Sequence, residues 1–184
     1  MDALQKDVLY TYSDYVTWDD DTRYELIHGV PYMLAAPSLV HQRVIGRLYV
    51  QLFNFLAGKA CEVFVAPVDV RLCAGQRDDT VVQPDLLVVC DKAKLDDKGC
   101  AGAPDMVVEI LSPSTASRDC IIKWQLYLDA GVKEFWIVDP IAKTVYVQIL
   151  EGSAYATTAY DSKSQAPVKM LKGCEINLPD LFAE

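Results

Sequence analysis

Between Leu39 and Leu56 the apolar side chains Val44, Ile45, Leu48, Leu52, Phe55 and Leu56 recur at the spacing of one helical face, and Gly58 follows as a stop. Such a stripe needs an apolar surface to cover. Three valine-rich runs come next and read as strands: Cys61 to Leu72, Thr80 to Cys90, and Asp105 to Ser112. A polar turn at 75–79 separates the first two, and a charged loop at 91–102 separates the last two. The spacing predicts a second helix over about Arg118–Ala130, closed by Gly131. A fourth strand, Phe135–Asp139, ends at Pro140, and Thr144–Leu150 reads as a fifth. Upstream, a short helix capped by Ser13 is expected near Tyr12–Trp18. Two apolar runs flanking His28-Gly29 suit a hairpin over Tyr24–Leu34. The tail through Val168 and Ile176–Phe182 adds short strands and a closing turn. This order predicts a mixed α/β (α+β) fold: a central mixed sheet flanked by helices, with an N-terminal β-hairpin and extra C-terminal strands.

The 184 residues suit one domain, 1–184, with 52% hydrophobic and 23% charged residues, a globular balance. No apolar run approaches a membrane span, and the first residues lack the basic and apolar regions of a signal peptide. A cytoplasmic, membrane-free protein is therefore expected. None of the six cysteines forms a C-x-x-C pair, so zinc is poorly supported and reduced core thiols are expected. The formal net charge of −9 weighs against a protein built on phosphate contacts, although carboxylates gathered for a metal would add to it.

Chemistry concentrates on three segments. Asp85 opens the apolar strand Pro84–Cys90, near a sheet rim. Alternation in Asp105–Ser112 puts Val107, Glu109 and Leu111 on one face, so Glu109 interrupts an apolar stripe. A buried carboxylate is costly unless it is paired or binds a cation. If neighbouring strands bring Asp85 and Glu109 together, a divalent ion would relieve their repulsion, and hard oxygen donors suit magnesium or manganese. A plainer account has Glu109 exposed at an edge and Asp85 shaping a turn. On the next helix, a 100° step from Lys123 places Asp119, Leu126, Tyr127 and Ala130 within roughly 60° of it, and puts Arg118, Gln125 and Asp129 nearly opposite. Lys123 thus leaves the solvent stripe, which calls either for an anionic partner across the fold or for an Asp119–Lys123 pair. Glu25 and His41 taken alone read as an ordinary strand residue and a helix-start residue.

Gln-Pro-Asp85, Val-Val-Glu109-Ile-Leu-Ser-Pro-Ser-Thr and Asp119-x-x-x-Lys123 resemble the signature of the Uma family of proposed prokaryotic restriction endonucleases, within the PD-(D/E)XK nuclease superfamily. Tyr-Glu-Leu-Ile-His-Gly, His41, Tyr127-Leu-Asp-Ala-Gly-Val and Phe135-Trp-Ile-Val-Asp-Pro140 extend the resemblance over about residues 10–182. It implies a PD-(D/E)XK core in which Asp85 and Glu109, helped by the Ile110 carbonyl, hold Mg²⁺ or Mn²⁺. Leu111 occupies the usual lysine position, and the resemblance implies that Lys123 replaces that lysine from the following helix. Glu25 would be the additional upstream acid.

The implied activity is metal-dependent hydrolysis of DNA phosphodiester bonds, with a homodimer suited to cutting both strands. Arg43, Arg47 and Arg118 are candidate phosphate contacts, or ordinary surface charges. The competing expectation is a catalytically inactive binding or assembly protein on the same fold, favoured by Leu111 and the acidic charge. Hydrolysis of a smaller phosphoester is a third.

Overall fold

The computed structural model describes residues 8–19, 22–72, 78–112 and 118–183, with backbone alone at 118–120. The elements in chain order are α1 (Tyr12–Tyr15), β1 (Tyr24–Ile27), β2 (Val30–Met33), α2 (Leu39–Leu56), β3 (Glu62–Val65), β4 (Val70–Arg71), β5 (Val81–Val82) and β6 (Leu86–Val89). Then follow a short 3₁₀ turn (Lys92–Lys94), β7 (Leu95–Asp96), β8 (Gly99–Ala101), β9 (Met106–Ile110), α3 (Arg118–Ala130), β10 (Glu134–Asp139), β11 (Thr144–Glu151), β12 (Ala154–Asp161), β13 (Gln165–Val168), β14 (Cys174–Asn177) and α4 (Leu178–Leu181).

The central sheet runs β12-β11-β10-β9-β6-β3, with β9 and β10 parallel and the other neighbours antiparallel. Both faces of its middle strands are covered, which is why they read as continuous apolar runs. Leu86, Val88, Met106, Val108, Ile110, Trp136 and Val138 face the α2 stripe of Val44, Ile45, Leu48, Leu52 and Leu56 and the C-terminal β13–β14–α4 segment. The alternate residues Leu87, Val89, Val107 and Phe135 pack with Leu126 and Tyr127 of α3 and with Val70, Val82 and Cys100 of the second sheet. That second sheet, β2-β1-β5-β4-β8-β7, brings the N-terminal hairpin against the α3 side. The hairpin turns where expected: Ile27 pairs with Val30, and His28 and Gly29 both have positive φ, 50° and 79°.

Both long helices match their expected bounds. The strands differ. Cys61–Leu72 splits into β3 and β4, and Thr80–Cys90 splits into β5 and β6, each pair dividing between the two sheets. Pro67 and Pro84 sit in the breaks, where a ladder N–H is missing. Part of the expected loop 91–102 forms the β7–β8 hairpin. Thr11, not Ser13, caps α1, with the Asp14 carboxylate returning 2.7 Å to the Thr11 N–H. The expectation of reduced thiols is also corrected at one pair. Glu62 lies opposite Val89, so Cys61 and Cys90 are the next residues across the β3–β6 ladder, and they form a disulfide. Cys100 and Cys174 are free and buried, as core thiols should be; the side chains of Cys73 and Cys120 lie outside the described residues.

At the far side of the central sheet, Glu134 is wholly buried and accepts hydrogen bonds from Trp136 Nε1 at 2.7 Å, Lys169 N at 3.1 Å and Met170 N at 2.8 Å. It fastens the turn between β13 and β14 to β10. No helix among the described residues is long and apolar enough to cross a membrane.

Candidate active site

Asp85 precedes β6, and the β6–β9 register ends with Leu86 opposite Val108. One step further along that ladder Asp85 comes alongside Glu109. Asp85 Oδ2 accepts from the Ile110 N–H at 2.7 Å, which fixes the carboxylate against β9. His41 arrives from the first turn of α2, where Ser38 caps the helix and accepts from the His41 N–H at 3.2 Å. Its Nε2 lies 3.0 Å from Asp85 Oδ2. Since an ionised carboxylate only accepts, Nε2 carries the proton. His41 Nδ1 is buried without a hydrogen-bond partner among the described residues. Burial alone would lower the His41 pKa, but the hydrogen bond and charge of Asp85, the charge of Glu109 and the Ile110 carbonyl raise it above the ordinary value.

Glu109 points to the α3 side, as strand alternation requires. Lys123 Nζ lies 3.0 Å from Glu109 Oε1 and 2.8 Å from Glu25 Oε1, and is only 8% exposed. Tyr127, one helical turn on, donates to Glu109 Oε1 at 2.6 Å. Glu25 is 3% exposed and also accepts from the Gln83 N–H at 2.8 Å. Lys123 is thus the cation between acids from two sheets. Burial pulls its pKa down, but Glu109 and Glu25 outweigh this and hold it above the ordinary lysine value. Burial pushes Glu109 up to about 7, with Asp85 and Glu25 acting in the same direction and Lys123 against it. Burial likewise drives the Tyr127 phenol far above its usual range.

Glu25, His41, Asp85, Glu109, Ile110 and Lys123 line one cavity of about 310 Å³. Among the described residues, no group of three or more His, Cys, Asp or Glu side chains is drawn together tightly enough to hold a metal. The donor set nonetheless fits a hard dication. Asp85 Oδ1 and Glu109 Oε2 take no hydrogen bond among the described residues, and both residues line the cavity. The sequence offered no direct sign of the Gln83 contact, whereas Tyr127 was visible as the residue four on from Lys123 on the same helical face. The Asp119–Lys123 pair lies outside the described side chains, as does Arg118. Arg47 is not poised for phosphate: its guanidinium bonds the Leu181 and Ala183 carbonyls.

The family profile described as "Putative restriction endonuclease" matches residues 12–179. The chain belongs to the Uma2 family. A protein of Synechocystis sp. described as uncharacterized is 29% identical over 116 residues, 62% of this chain and 60% of that protein. The chain therefore matches less than two thirds of that relative's length. A crystal structure titled a "putative nuclease belonging to DUF820", from Anabaena variabilis, superposes with a TM-score of 0.77 at 20% identity, over 94% of this chain and 97% of the other. That likeness shows the fold, a mixed α+β restriction-endonuclease-like architecture, as the order of elements predicted.

In this Uma2 chain the raised Glu109 carboxyl should make stability depend on pH. A group whose folded pKa lies above its unfolded value contributes stability that is complete below the unfolded pKa, here 4.5, and is lost as pH rises to the folded value near 7. The span corresponds to about 3 kcal/mol. Urea denaturation at about pH 5 and about pH 7.5 should show wild-type stability falling by an amount of that order, and Glu109→Gln should flatten the difference. Equal slopes in the two proteins would show that Glu109 does not carry this titration.

Proposed function

We propose that this chain is a metal-dependent endonuclease that hydrolyses DNA phosphodiester bonds. The observation that carries the reading is the convergence of Glu25 and Glu109 on Lys123, each with an oxygen within 3.0 Å of the ammonium, in the cavity that Asp85 also lines. Asp85 and Glu109, with the Ile110 carbonyl, would hold Mg²⁺ or Mn²⁺. When bound, that ion supplies Lewis acidity to a phosphate oxygen and makes water easier to deprotonate. Lys123 holds a fixed positive charge where the phosphate gains negative charge. Glu25 and Tyr127 fix the lysine and Glu109 in place, and His41 orients Asp85 through its Nε2–H. Lys123 would thereby take, from α3, the place that Leu111, just after β9, cannot fill. As a double-strand cutter the chain would act as a homodimer in the cytoplasm.

The test is nicking of supercoiled plasmid with Mg²⁺ or Mn²⁺. The wild-type protein should cut, and Glu109→Ala and Lys123→Ala should not. Equal cutting by the variants would identify a contaminant and end the proposal. A second reading, an inactive binding or assembly protein, is favoured by Leu111 and by the net charge of −9. Calorimetric silence towards both metals would select it.

A further inference from the structure

A second cavity, of about 700 Å³, adjoins the first and shares Arg23 and Gln83 with it. Its size falls within the roughly 300–1,000 Å³ of small-molecule sites. Tyr15, Trp18 and Tyr24 line one side, and Asp69 also belongs to the wall. The rings are held by one another: Trp18 meets Tyr24 edge-on at 5.3 Å and 77°, and lies 5.3 Å from Tyr15. Such rings lose little freedom when a flat group stacks on them.

Gln83 joins the two cavities physically. Its backbone N–H holds Glu25 of the first site at 2.8 Å. Its side-chain amide donates to Asp69 Oδ1 at 2.8 Å and to the Tyr15 hydroxyl at 3.2 Å. Its Oε1 accepts from Arg23 at 2.6 and 3.0 Å, so an exposed cation stands at the junction. Asp69 Oδ1 also accepts from Tyr15 at 3.0 Å, while Oδ2 takes no hydrogen bond among the described residues.

We infer that this second cavity takes an unstacked nucleobase of the same strand whose phosphodiester lies at Asp85 and Glu109, and that it selects a base bearing an exocyclic amino group. The inference rests on the nuclease reading and deepens it. A strand passing from one cavity to the next carries its phosphate past Arg23 and presents a base to the Tyr15–Trp18 wall, the arrangement by which proteins hold single-stranded nucleic acid. Asp69 is acceptor-only, so it rewards a donor edge. The amino group of cytosine satisfies it; in uracil a carbonyl oxygen stands at the same position and is repelled.

The experiment uses the full chain and short fluorescein-labelled oligodeoxycytidine and oligodeoxyuridine, which differ at the C4 substituent, read by anisotropy without added divalent metal so that the strand is not cut. Cytidine should bind about tenfold more tightly than uridine. Asp69→Asn should bring the two together, and Trp18→Leu should weaken cytidine binding about tenfold. Tyr15→Phe, which removes one donor from Asp69 with little change in shape, covers the case in which Trp18→Leu fails to fold. Equal binding of the two oligonucleotides by the wild type, or an unchanged preference in folded Asp69→Asn, would overturn the base pocket. Plasmid cutting separates the two proposals. Cutting with no base preference leaves the nuclease standing without this pocket, whereas base preference without cutting removes the nuclease and keeps the pocket.

Discussion

Asp85→Asn is expected to lose metal-dependent cleavage by about a thousandfold or more while remaining folded. The substitution keeps the shape of the side chain and an oxygen that can accept from the Ile110 N–H, now at 2.7 Å from the carboxylate. It removes the charge that a dication would need beside Glu109 and that the His41 ring faces at 3.0 Å. The stability cost should therefore be small, about 1 kcal/mol, since one charge-assisted hydrogen bond becomes a neutral one. Titration calorimetry with Mn²⁺ should lose its heat in the same variant. Retained cleavage with lost metal heat would assign the metal to other donors; retention of both would remove Asp85 from the site altogether.

The relation between sequence and site is uneven for physical reasons. The bounds of α2 and α3 were legible because a helix buries one face and writes its period into the chain. Strand alternation put Glu109 on the α3 side for the same reason. The strand breaks were not legible, because Val81-Val82 and Leu86–Val89 are equally apolar although they belong to different sheets. Strand β12 was missed because most of its side chains are exposed on both faces, so no alternation marks it. The Cys61–Cys90 bond depends on the β3–β6 register, a long-range property that local composition does not carry. The family resemblance supplied Lys123 and Glu25 as candidates, and helical phase alone left Lys123 between a local pair and a distant one. Only packing of β1 against α3 brings Glu25 to the lysine.

Lys123→Met is expected to destabilise the fold by about 3–5 kcal/mol, the typical cost of removing one partner from a buried ion pair. Glu25 and Glu109, now within reach of the same ammonium at 2.8 and 3.0 Å, would be left facing each other with no cation between them. Their remaining route to relief is protonation. Burial already pushes Glu109 up to about 7, and loss of Lys123 removes the charge that lowers it. The destabilisation should therefore be larger at alkaline pH than at about pH 5, where a proton replaces the lysine. Adding Glu25→Gln should recover part of the loss, and a double-mutant cycle on urea midpoints measures how much. Full additivity of the two changes would mean that the pair is not coupled. Stability by itself does not separate a structural lysine from one that acts on phosphate, but Lys123→Arg does. A guanidinium keeps the charge between the acids and should restore the fold, while its planar, spread charge is a poor substitute for an ammonium aimed at one oxygen. Recovery of stability without recovery of cleavage assigns Lys123 to the reaction; recovery of both reduces it to the bridge between two sheets.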